Sequence, residues 1–234
     1  SGQFTTPESL AKLAVTISME DLRCDAIDPA CGRGTIVKEL FVRKAASIST
    51  EEALSTTWGS DKFATPLQIA TFNMIEPELG GKIVQLFRHD AIDLMVGESI
   101  TFQHPLNGET IDRILPEMGL IVSNLPFVQQ KDIMKLNPGI DQIRQTIVNV
   151  TGRNDLLLSE RTDLYGYLPF YLWNILKLGG KLSIIISNSW MGTEWGHTFF
   201  NALGYYYDIQ NIITSGSKRW FEEAKVVTTI LILK

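Results

Sequence analysis

The tetrapeptide Asn124-Leu125-Pro126-Phe127 follows the apolar run Gly119-Leu120-Ile121-Val122-Ser123. An amide, a carbonyl on a proline-stiffened turn and an aromatic face converge there, a set that suits gripping the amino group of a flat heteroaromatic base. In isolation the same four residues read more simply as a strand-ending turn with a core phenylalanine. Their weight comes from a second motif upstream, Asp28-Pro29-Ala30-Cys31-Gly32-Arg33-Gly34-Thr35. Glycines at 32 and 34 let backbone approach a ligand closely, and the helix expected to follow offers N–H groups with no partner inside the helix. The turn therefore reads as a nucleoside-cofactor loop. It is not the dinucleotide pattern Gly-x-Gly-x-x-Gly, and it lacks the lysine of a phosphate-binding P-loop. A cofactor without phosphates, carrying a ribose and a cationic centre, better suits the acidic positions Asp28, Asp61 and Asp90. A carboxylate after the second strand suits ribose hydroxyls, and one after the third suits an amino-bearing base.

These residues need a scaffold that gathers strand ends. Apolar strand-like runs alternate with helical patterns along the chain, which predicts an α/β fold with a mostly parallel sheet covered by helices. A helix is expected from Pro7-Glu8 to about Ser18, with Thr6 as N-cap and Leu10, Leu13, Ala14 and Ile17 on one face. Strands are expected at 24–27, 58–61, 82–87, 120–123 and 182–187, and helices at 35–46, 66–75, 163–178 and 195–204. The stretch 94–117 reads as mostly loop, with 100–102 strand-like, and 131–161 reads as a long polar connection of the kind recruited for function. The runs 208–214 and 226–233 fit a terminal antiparallel pair. In an open parallel sheet, ligands bind outside the carboxyl ends of the strands, where Asp28, Asp61, Asp90 and Asn124 would form a row. The aromatic set Tyr165, Tyr167, Phe170, Tyr171 and Trp173 reads as helix packing.

Composition narrows the class. At 234 residues, with 44% hydrophobic and 20% charged, the chain can bury a sizeable core as one domain, or one and a small appendage. No apolar run approaches the ~20 residues of a membrane helix, and the N-terminus lacks the layout of a signal peptide, so the expected compartment is the cytoplasm. Two cysteines, Cys24 and Cys31, lie without the partners of a zinc site, so neither a metal nor a disulfide is expected. A net charge of −5 is unfavourable for holding a polyanion. Any grip on nucleic acid is therefore local, or supplied by another domain or subunit.

The order Gly2-Gln3-Phe4-Thr5-Thr6-Pro7, then 28–35, Gly59-Ser60-Asp61, His89-Asp90, 124–127 and 180–190 resembles the S-adenosylmethionine-dependent adenine-N6 DNA methyltransferases. The chain looks most like the catalytic domain of type I and type IIG restriction-modification enzymes, over nearly its whole length. The resemblance implies a Rossmann-like class I methyltransferase fold, with a seven-stranded, mostly parallel sheet, helices on both faces and an antiparallel terminal strand. It implies one catalytic domain over 1–234, expected to be a fragment, with target recognition in a domain or specificity subunit outside it. S-adenosylmethionine would be the cofactor and DNA the partner, with no membrane and no metal.

Carried over to these positions, Thr6 and Pro7 would sit against the methionine part of the cofactor, and Asp28 with Ala30, Gly32 and Gly34 would shape its pocket. Asp61 would hold the ribose and Asp90 the adenine amino group, with Phe63 or Ile92 lining the ring. The target adenine would be flipped from the duplex, at a cost of a few kcal/mol, and stacked on Phe127. The Asn124 side-chain oxygen and the Leu125 carbonyl would accept its two N–H groups, so that catalysis is positioning and electrostatics without a covalent intermediate. Pro126 would stiffen the turn. The family usually carries a second proline where Leu125 stands, which reduces the rigidity aiming that carbonyl. Asn-Leu-Pro-Phe is also similar to the ribosomal RNA adenine dimethyltransferases. The alternatives are thus a catalytically weak cofactor-binding or assembly module of a restriction or phage-defence complex, an RNA adenine methyltransferase, or methylation of a glutamine amide in a protein.

Overall fold

The computed structural model describes residues 5–75, 81–104, 107–126, 139–160, 162–216, 219–221 and 227–234. A seven-stranded sheet is built from β1 (Ala26–Asp28), β2 (Thr57–Asp61), β3 (Gln85–Arg88), β6 (Met118–Asn124), β7 (Leu176–Ser187), β8 (Ile209–Thr214) and β9 (Thr228–Leu233). Its spatial order is β3-β2-β1-β6-β7-β9-β8. Pairing is parallel from β3 through β7, and β9 runs antiparallel to both of its neighbours, β7 and β8.

Successive strand side chains point to opposite faces, so a sheet covered on both sides needs apolar residues at every position. The central strands meet that need. Ile121, Leu182, Ile184, Ile186, Leu231 and Leu233 pack into one core, and their sequence neighbours Leu120, Val122, Ile185, Ile230 and Ile232 pack into another. The second core is closed by α1 (Glu8–Ser18) and α2 (Thr35–Ala45) through Leu10, Ala14, Val15, Ile36 and Leu40. The short helix α3 (Thr50–Ser55) and α4 (Ala64–Asn73) complete a third cluster beside β2 and β3. On the opposite face lie α5 (Ile140–Thr151), α6 (Leu164–Leu172) and α7 (Glu194–Tyr206). Tyr165, Tyr167 and Phe170 are fully buried there, as helix packing predicts, while Trp173 at the end of α6 is 45% exposed.

Besides α3, which falls in a polar stretch where no helix is expected, four elements differ from the sequence expectation. The stretch 94–117 contains an antiparallel hairpin, β4 (Ser99–Gln103) with β5 (Thr110–Ile114). Its two strands carry mostly exposed side chains, so apolar alternation is weak, and Ile100 with the partly buried Phe102 docks it to the core. Within the polar connection, α5 buries Ile140, Ile143 and Ile147, a single stripe at i, i+3 and i+7 on an otherwise polar helix. The helix expected over 163–178 ends at Leu172. A one-turn 3-10 segment leads into β7, which starts at Leu176 and shifts register against β6 between Met118 and Leu120. In α1 the buried set is Leu10, Ala11, Ala14, Val15 and Ser18, whereas Leu13 is 37% exposed, because the helix packs on α2 as well as on the sheet.

Candidate active site

Asp28 closes β1 and Asn124 closes β6, and these adjacent strands flank the point where the strand order reverses. Crevices at such switch points, outside the carboxyl ends of the strands, are where open α/β sheets bind ligands. One cavity of about 190 Å³ opens there, lined by the loop 30–33 after β1, by Thr5 and Thr6 before α1, by Thr65, Pro66 and Ile69 of α4, and by Asn124-Leu125-Pro126. Of the residues expected from sequence to act, Thr6, Ala30, Gly32, Asn124, Leu125 and Pro126 are thus brought to one wall-to-wall space. Phe127 lies outside the described residues.

Beneath the cavity the two motifs are tied together. The buried Ser123 hydroxyl donates to Asp28 Oδ1 at 2.7 Å, and the Ala30 N–H donates to the same oxygen at 3.1 Å. Asp28 is 2% exposed, and burial, joined by the nearby Asp61 charge, pushes its carboxyl up to about 7 against the hydrogen bonds that favour ionisation. Asp61 is as deeply placed. One carboxylate oxygen accepts from the Gly32 N–H and the other from the Phe63 N–H, both at 2.9 Å, so this side chain pins the cofactor loop to the turn after β2. A ribose hydroxyl at Asp61 would have to share an oxygen with those donors, which the second lone pair on each permits. Cys31 is buried beside these carboxylates, and desolvation pushes its thiol well up, which makes it an inert packing residue rather than a nucleophile.

The loop keeps its shape through two glycines. Gly32 has φ +53° and Gly34 φ +85°, both in the left-handed region that side chains disfavour. A Cβ at Gly34 would stand 3.1 Å from the Ala70 Cβ of α4, so the glycine also allows that helix to close one side of the cavity.

The remaining expected residues stand apart. Asp90 follows β3, accepts from the Ile92 N–H at 3.3 Å and pairs with Lys62 Nζ at 2.6 Å. Phe63 is 55% exposed, and Ile92 packs partly against the large core. None of the three lines the cavity, and neither do Pro7, Asp28, Gly34 or Asp61; Asp90, Phe63 and Ile92 form a separate flank of the same rim.

Thr6 does something other than cap a helix. Helix α1 begins with Pro7 at its N-cap position and no side-chain cap bond. The Thr6 hydroxyl instead accepts from Asn124 Nδ2 at 3.0 Å. At Leu125 the backbone N–H donates to the Ile185 carbonyl of β7 at 3.1 Å, and the side chain is 1% exposed. A proline at 125 could make no such bond, so here the turn is fixed by a strand-to-strand tether and an apolar anchor.

Sequence reasoning missed Ser123, Arg33, Thr65, Pro66 and Ile69. Thr65-Pro66 repeats the Thr-Pro pair that precedes α1, with Ile69 one turn farther on, which is the signal that could have found them. Ser123 precedes Asn124 directly, but nothing in sequence says that its hydroxyl faces Asp28.

Comparison with known proteins gives the fold and the family. The type II methyltransferase M.BanIII of Aneurinibacillus aneurinilyticus is 24% identical to this chain over 236 aligned residues, covering 96% of the chain and 37% of that protein. The methyltransferase subunit of a type I restriction-modification system from Streptococcus thermophilus superposes with a TM-score of 0.65 at 17% identity, covering 100% of this chain and 46% of that one. DrdV, in its complex with DNA, superposes with a TM-score of 0.69 at 16% identity, covering 99% of this chain and 26% of that one. The chain therefore spans less than half the length of each of these relatives. A putative class I S-adenosylmethionine-dependent methyltransferase from Listeria monocytogenes shares the fold, superposing with a TM-score of 0.62 at 16% identity and covering 98% of this chain and 60% of that one. The N-6 DNA methylase family model matches residues 1–234, and the chain belongs to that family.

Proposed function

We propose that this chain is the catalytic part of a restriction-modification enzyme that methylates the exocyclic N6 of adenine in DNA, using S-adenosylmethionine. The observation that carries the reading is the single cavity onto which the glycine loop after β1 and the Asn124 end of β6 both open. The donor set fits the cofactor. Left-handed glycines keep the loop backbone bare, and the carboxyl groups of Asp28 and Asp61 lie beneath the loop as acceptors on the side of a ligand that carries a cationic centre. Ala30, Gly32 and Gly34 would shape its pocket, with Pro7 at the methionine end. Asp61 would meet the ribose, and Asp90 with Phe63 and Ile92 the adenine. S-adenosylmethionine supplies a methyl group on a sulfonium.

The rest of the reaction falls to positioning. The amino nitrogen of adenine is a weak nucleophile because its lone pair is delocalised into the ring. The Asn124 amide oxygen and the Leu125 carbonyl would accept its two N–H groups and draw that lone pair out of conjugation. Pro126 and the tether of Leu125 to Ile185 hold the carbonyl in place. Phe127 would stack on a base flipped from the duplex. Fixed acceptors of this kind act by preorganisation, worth roughly 100- to 1,000-fold each where single donors have been removed elsewhere. DNA affinity would come largely from other parts of the assembly, because this chain has a net charge of −5.

The test is methyl transfer from labelled S-adenosylmethionine to plasmid DNA grown in a host without adenine methylation. Labelled N6-methyladenine is the expected product. Asn124→Ala should lower the transfer rate at least ~100-fold while cofactor affinity stays within about threefold. In the complete enzyme, with its target-recognition part present, cofactor binding with no transfer to DNA would overturn the reading in favour of an assembly module.

A further inference from the structure

We infer that Thr6 is a positioning residue for catalysis, acting by fixing the orientation of the Asn124 side-chain amide rather than by holding the cofactor. This rests on the proposed adenine methyl transfer. A carboxamide presents an acceptor at one end and a donor at the other, and a half-turn about its last bond exchanges them. For Asn124 to accept an N–H of an amino group, Oδ1 must face that group and Nδ2 must be engaged elsewhere. In this structure Nδ2 donates to Thr6 Oγ1 at 3.0 Å, and both residues line the same cavity.

The Thr6 hydroxyl is turned to a residue 118 positions away, while α1 starts from Pro7 with no side-chain cap. The backbone helps to hold that hydroxyl in place. Threonine is stiff at χ1, and the following Pro7 restricts Thr6 to extended backbone. The acceptor is therefore in place before any ligand arrives.

Thr6→Val keeps the shape and removes the acceptor, whereas Thr6→Ser keeps the acceptor. In the full chain, with the plasmid substrate above, Thr6→Val is expected to lower kcat by 10- to 100-fold, with the S-adenosylmethionine dissociation constant, measured by calorimetry, within threefold of wild type. Thr6→Ser should stay within threefold in both. An unchanged kcat in Thr6→Val, or a loss confined to cofactor affinity, would overturn the inference. A second readout is independent of turnover: in the 15N-asparagine-labelled chain, the Asn124 NH2 protons should exchange slowly in wild type and Thr6→Ser and at least tenfold faster in Thr6→Val. Equal exchange in all three would refute the orientation role even if the wild type transferred methyl, and tenfold faster exchange would sustain the contact if the wild type transferred none.

Discussion

Asn124 and Asp28 illustrate how one side chain takes its meaning from its neighbours. Asn124 is a carboxamide at a strand end until Thr6 holds one of its ends and the Leu125 tether sets its backbone. Leu125→Pro should therefore destabilise this chain. It removes the N–H bond to Ile185 and part of a fully buried side chain, a loss of about 1–3 kcal/mol that urea unfolding would measure. Asp28 makes a pH prediction. Its native carboxyl titrates at about 7, above the ~4 of an unfolded chain. The native state thus keeps a proton that the unfolded state releases, and stability is lost as pH rises from about 4 to 7 and stays lost above. Asn at 28 can accept the Ser123 and Ala30 bonds through its own Oδ1 without carrying charge. Asp28→Asn should unfold at higher urea than wild type at pH 8, by on the order of 1–4 kcal/mol, and match it near pH 4.

At the scale of elements, the loop between β1 and α2 is shaped jointly by its glycines and by Asp61. Gly34→Ala meets two penalties, a left-handed φ and a Cβ 3.1 Å from Ala70, whereas an alanine at Gly32 meets only the first, since nothing stands within 4 Å. Each left-handed alanine costs roughly 1–2 kcal/mol. Gly34→Ala should therefore lower stability more than Gly32→Ala and should weaken cofactor binding as well, because α4 must move off the loop. Denaturation and calorimetry on the two variants would check the order, and equal effects would show that Ala70 yields freely. The elements that escaped sequence reading have particular causes. The β4–β5 hairpin carries little buried surface, so its alternation is faint, and α5 sits in a polar stretch with one isoleucine stripe. Lys44 stands in the last turn of α2. It is fully buried, its Nζ donating to the carbonyls of Cys24 and Thr56 and to the Thr56 hydroxyl, and desolvation lowers its pKa to about 8.

Across the whole molecule, the proposed ligand should act as a stabiliser of the folded state. S-adenosylmethionine at one hundred times its dissociation constant contributes about 2.7 kcal/mol, which for a chain of 234 residues raises Tm by roughly 5–10 °C. Scanning fluorimetry would measure it, and no shift at millimolar cofactor would count against the proposed site. Much of this organisation was legible beforehand. Buried parallel strands must be apolar on both faces, and helices must carry a stripe, so the α/β order and the strand ends bearing Asp28, Asp61, Asp90 and Asn124 follow from periodicity alone. Left-handed turns need glycine, which marked the loop at 32 and 34. The side-chain partners did not follow, because they join residues distant along the chain. That Ser123 and Asp28, Gly32 and Asp61, or Thr6 and Asn124 touch depends on strand order and on the packing of α1 against the sheet. Sequence by itself determined which residues stand at the carboxyl edge of the sheet. Tertiary structure decided which of them share a cavity and which hold the others still, since direction and distance between non-neighbouring side chains exist only once the elements are packed.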